Sequence, residues 1–89
     1  MRAIVTVVGK DRVGIIAGVC VELAQRNVNV LDISQTILRD LFTMTMLVDF
    51  SAANVDFPTL TEVLDGVGEN LGVSIRIQRE EIFNAMHRI

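Results

Sequence analysis

The chain has no tryptophan and no tyrosine, and only one cysteine, one histidine and one proline in 89 residues. A sheet that reads RNA needs aromatic side chains on which bases stack, and a nucleic-acid groove needs clustered positive charge. Eight Lys plus Arg stand against eleven Asp plus Glu, a net charge of −3, so neither nucleic acid nor an anionic membrane is an expected partner. Cys20 alone allows no internal disulfide and no multi-cysteine zinc site, and it reads as a small apolar side chain in a reducing compartment. His87 alone supplies no catalytic triad or metal trio, and Glu80 and Glu81, adjacent in sequence, do not share a helix face. No enzyme, metal or cofactor is expected. No apolar run approaches the ~20 residues of a membrane span, and the start is strand-like rather than a basic segment followed by an apolar block. The expectation is a soluble, cytoplasmic protein.

What is present is periodicity. At 89 residues the sequence reads as a single domain over 1–89, short enough that burial supplied by a partner would help. Arg2 to Val8 is β-branched and apolar, as a strand should be. From about Gly14 to Arg26, Ile16, Val19, Cys20 and Leu23 fall at helical spacing. Leu31, Ile33 and Ile37 then alternate with Asp32, Ser34 and Thr36 in a second strand whose two faces differ. Arg39-Asp40 turns the chain into a third, where Phe42, Met44, Met46, Val48 and Phe50 face one way. Asp56 reads as a helix N-cap with Pro58 in the first turn, and Leu60, Val63, Leu64, Val67 and Leu71 form a second apolar stripe that stops at Gly72. Val73, Ile75 and Ile77 make a fourth strand, and Glu80 to Arg88 a short closing helix.

The order β-α-β-β-α-β with two right-handed crossovers predicts an α+β, ferredoxin-like sandwich: a four-stranded antiparallel sheet, order 4-1-3-2, with both helices on one face. The second strand is then an edge. Its backbone groups over Val30 to Ile37 would be open to a second copy, so a homodimer is expected.

Chemistry concentrates in Gly9-Lys10-Asp11-Arg12-Val13-Gly14, the turn from first strand to first helix. A helix start leaves up to four backbone N–H groups without intrahelical partners and carries partial positive charge, which suits a carboxylate or phosphate. Both phosphate-loop spacings, Gly-x-x-x-x-Gly-Lys-Ser/Thr and Gly-x-Gly-x-x-Gly, are missing, which disfavours nucleotides. Two plainer roles stand beside the ligand reading: Asp11 could cap the helix through the N–H of Val13 or Gly14, and Lys10 and Arg12 could be solvated turn charges.

The string Gly9 to Ala17, with Leu23-Ala24, Asn29 to Gln35 and Phe42-Thr43-Met44, resembles the ACT domain over nearly the whole chain. The short length and the ending Ile82 to Ile89 are similar to stand-alone bacterial ACT proteins related to the paired ACT domains of the glycine-cleavage repressor. The chain departs from many members at Val13, where they carry proline. The resemblance implies a non-catalytic regulatory module that dimerises and holds a small amino acid near the first turn, often between subunits. Gly9, Lys10, Asp11, Arg12, Val13, Gly14 and Ile15 would form the site. Asn29, Asp32, Ser34 and Gln35 would add polar contacts from the same or the neighbouring subunit. If Gly14 marks tight quarters, glycine or serine-sized ligands come first. With no output domain in sight, such a module would act through an as yet unidentified protein partner. The alternative is a ligand-free dimerisation or adaptor module.

Overall fold

The computed structural model describes residues 1–81. The elements are β1 (Arg2–Lys10), α1 (Ile15–Gln25), β2 (Asn29–Leu38), β3 (Leu41–Asp49), α2 (Phe57–Leu71) and β4 (Val73–Arg79). Antiparallel pairing gives the sheet order β2-β3-β1-β4, the expected ferredoxin-like arrangement. The closing helix expected over Glu80 to Arg88 falls almost wholly outside the described residues.

Alternation places the core. On β1, Ala3, Val5 and Val7 are buried, and across β3 they meet Val48, Met46 and Met44, all buried too. On the other side of β1, Val5 and Val7 pair with Ile77 and Ile75 of β4. Ile15, Val19 and Leu23 of α1 and Leu60 and Leu64 of α2 close this layer. Removing a large side chain from such a site costs about 2–5 kcal/mol.

Two expectations need correction. The buried stripe of α1 runs through Ile15, Val19 and Leu23, while Ile16 is 37% exposed; Ile15 sits one position nearer the turn and takes the place under the sheet. In β2, the register against β3 shifts between Val30 and Asp32, leaving Leu31 without a partner. Because side chains alternate, one extra residue moves all that follow to the other face. Ile33, Gln35 and Ile37 therefore lie opposite Met46, Met44 and Phe42, on the helix side, and Asp32, Ser34 and Thr36 opposite Leu47, Thr45 and Thr43, on the open side. The two faces do not differ in burial either: every residue of β2 beyond Val30 is exposed.

Candidate functional site

The β1–α1 turn is held from two sides. The Asp11 N–H donates to the Asp40 carbonyl in the β2–β3 turn at 2.7 Å. Arg12 Nη1 donates to the Leu71 carbonyl at the end of α2 at 3.0 Å, where Gly72 closes the helix at φ 72. Arg12 is thus a strut between the turn and a helix C-terminus, where a cation also complements the carbonyl ends.

Gly14 is the N-cap of α1, with φ 93 and ψ 1, and no side chain caps the helix. The capping role considered for Asp11 is therefore not realised; its backbone, rather than its carboxylate, makes the local bond. Left-handed φ explains the glycine, because a Cβ there is strained. Crowding does not: a Cβ at Gly14 would meet nothing within 4 Å. The size argument for glycine or serine-sized ligands thus loses its basis. Gly9 is the opposite case, since a Cβ would come within 2.6 Å of Val73 Cγ1. Gly9 serves the close packing of β4 on β1.

Beside the turn, between α1 and the helix side of β2, lies an open cleft of about 230 Å³ lined by Asp11, Arg12, Gly14, Ile15, Ile16, Ala17, Gln35, Ile37 and Phe42. Of the residues singled out in the sequence, the fold brings Asp11, Arg12, Gly14, Ile15 and Gln35 together here. It places others elsewhere within the subunit. Val13 is 99% exposed at the tip of the turn. Lys10, one position on from Gly9 and opposite Leu41, alternates to the open side. Asp32 and Ser34 are turned to the open side by the bulge, and Asp32 Oδ1 accepts from the Ile33 N–H at 2.9 Å. Asn29 stands opposite Asp49 at the far end of β2. Sequence reading missed Ile16, Ala17, Ile37 and Phe42 as lining residues. The available signal is Ile16, placed by its spacing on the buried helix stripe, and Ile37, placed on the edge strand: both are apolar residues close in sequence to a polar turn.

A second cleft, about 210 Å³, is lined by Met1, Arg2, Phe50, Arg79, Glu80 and Glu81, and Arg2 is ion-paired to Glu80 at 2.7 Å within it. Among the described residues no cluster of His, Cys, Asp or Glu could hold a metal ion, and no helix is long and apolar enough to cross a membrane.

An uncapped helix start beside a small cleft, on a sandwich of this topology, defines a class. A family model for the ACT domain matches residues 2–78, and the chain belongs to the ACT domain family. Members of this family are regulatory amino-acid-binding modules. More narrowly, the chain is 58% identical to a UPF0237 protein of Bifidobacterium longum, covering 99% of this chain and 98% of that protein. Among solved structures it is similar to an ACT domain protein from Streptococcus pneumoniae, with TM-score 0.82 and 46% identity over 98% of each chain. It is also similar to a protein assigned as a glycine cleavage system transcriptional repressor, with TM-score 0.75 and 28% identity over 88% of this chain and 44% of that one.

Proposed function

We propose that this chain is a non-catalytic regulatory module that binds an amino acid in the cleft at the β1–α1 turn and passes the signal to a partner protein. The observation that carries this reading is the α1 start: no side chain caps it, and Asp11 and Arg12 line the same cleft. Backbone N–H groups there suit an α-carboxylate, and the Asp11 carboxylate suits an α-ammonium.

The working unit in this reading is a homodimer. β2 is an edge strand with its outer backbone groups unmatched in the sheet order, and Leu31, Ile33 and Ile37 are 46%, 41% and 51% exposed along it. A long, apolar, open edge is a template for pairing with a second copy. Pairing of the two β2 edges would bring Asn29, Asp32 and Ser34 of each subunit close to the other. Light scattering should give a dimer at roughly 100 µM, a concentration at which even a micromolar dimer is nearly full, and Ile33→Lys should shift it to monomer. Monomer alone in the unaltered chain would refute this.

The ligand test is thermal. A ligand at 100 times its Kd adds about 2.7 kcal/mol if it binds only the folded state, which for a chain this size raises Tm by roughly 10 to 20 °C. If none of the twenty amino acids at about 10 mM, enough to saturate a weak 0.1 mM site, moves Tm or the NMR signals of residues 9–15, the adaptor alternative replaces this reading. No affinity for duplex DNA or single-stranded RNA is expected at physiological salt.

A further inference from the structure

We infer that the ligand class of the α1 cleft is an α-amino acid with an unbranched or branched aliphatic side chain of three to four carbons, an inference that rests on the amino-acid reading above. Three observations lead there. The first is size. Open space at Gly14 removes the crowding that would restrict the site to glycine, and about 230 Å³ is below the ~300–1,000 Å³ of pockets for drug-sized ligands and cofactors. That range fits one amino acid rather than a nucleotide.

The second is the separation of charge. Asp11, Arg12 and the α1 start supply both signs at the turn, which complements a zwitterionic head group. The remaining wall is Ile15, Ile16, Ala17, Ile37 and Phe42, with the Gln35 amide as its one polar side chain. An acidic or basic ligand side chain would lie against that wall with no opposite charge to meet it, and desolvating it there is costly.

The third is that Ile16 and Ile37 are 37% and 51% exposed on the two elements that face each other across the cleft. A glycine would leave both wet. A chain of three or four carbons would cover them, and each methylene taken from water is worth about a fourfold gain in affinity.

The test is a homologous series on the full chain, measured by calorimetry: glycine, alanine, 2-aminobutyrate, norvaline, norleucine and leucine, with aspartate and lysine as charged controls. The expected result is a rise of about fourfold per methylene up to norvaline, with both charged controls weaker than norvaline. Ala17→Phe, at an exposed position of α1, fills the apolar part of the cleft. It should flatten the series, so that norvaline binds no more tightly than alanine. Binding of glycine or alanine with a flat or falling series overturns the aliphatic assignment and leaves the amino-acid reading standing. A rising series that Ala17→Phe does not flatten overturns the cleft as its location. No binding by any member of the series overturns the aliphatic assignment, and the amino-acid reading falls with it only if the rest of the twenty amino acids also leave Tm unmoved.

Discussion

The two helices of this sandwich begin in opposite ways. At α2, Asp56 sits in extended conformation at φ −78 and ψ 168, its Oδ1 accepts from the Thr59 N–H at 2.9 Å, and proline stands in the first turn. Phe57, the first helical residue, packs on Phe50 with ring centroids 5.3 Å apart and lies under the Arg79 guanidinium. At α1 the chain enters through a left-handed glycine with no side-chain cap, and the turn is held from outside, by Asp40 and by Leu71. One start is closed by its own residues. The other has no side chain of the chain on its first donors and relies on two long-range bonds for its position. A helix end of the first kind contributes stability, while one of the second kind gives up the contribution of a cap and leaves its first N–H groups open to a proposed ligand.

The sharpest way to break the α1 start is Gly14→Val. A β-branched residue at φ 93 is forced into a region that L-residues avoid, at a cost of about 1–3 kcal/mol, although the space around it is open. Chemical denaturation should show that loss. Gly14→Asn should lose less, since asparagine tolerates the left-handed region. Equal losses would mean that something other than φ selects glycine here.

The next effect belongs to α2. Asp56→Ala removes the cap and should lower Tm by about 4–8 °C. It should also change the pH dependence. Hydrogen bonding from Thr59 holds the Asp56 carboxyl below its ordinary value of 3.8. A depressed folded-state pKa contributes stability that is full above the unfolded value and is lost as pH falls through the folded one. Melting between about pH 5 and pH 2 should therefore decline less steeply in Asp56→Ala than in the unaltered chain. Asp49, held low by hydrogen bonding from Ser51, keeps its own share of the acid sensitivity in both. Arg12→Ala should cost less than Asp56→Ala, because a single exposed bond to the Leu71 carbonyl is offset in part by the entropy of holding a long side chain.

The same contrast explains what could be read from the sequence. α2 was legible from end to end, with Asp56, Pro58, Leu60, Leu64 and Gly72 all in their expected places, because each signal is local and all agree. So was β3, whose apolar residues alternate without interruption. At α1 the stripe through Ile16 and the stripe through Ile15 share Val19 and Leu23, so periodicity cannot fix which isoleucine goes under the sheet; packing decides it. The bulge at Leu31 has no glycine to announce it, yet it determines that Gln35 faces the cleft while Asp32 and Ser34 do not. Arg12 and Leu71 are 59 positions apart, beyond any local pattern. The ring of residues around the turn was thus visible as chemistry, and its geometry came from contacts far along the chain.

The smallest expected effect on stability is at Asp11, and it separates the two helix starts most cleanly. If Asp11 were a cap like Asp56, replacing it with alanine would lower Tm by a similar amount. Its link to the rest of the fold is the backbone N–H to the Asp40 carbonyl, which alanine retains, and its side chain is exposed. Asp11→Ala should therefore leave stability within about 0.5 kcal/mol of the unaltered chain, as surface changes away from caps and cores do. The carboxylate nevertheless lines the cleft, where it would meet the α-ammonium of a bound amino acid. The same variant should then bind norvaline about tenfold more weakly, the loss of one charge-assisted hydrogen bond in a solvent-open site. A melting temperature that falls as far as in Asp56→Ala, with ligand affinity unchanged, would make Asp11 a cap after all and remove it from the site.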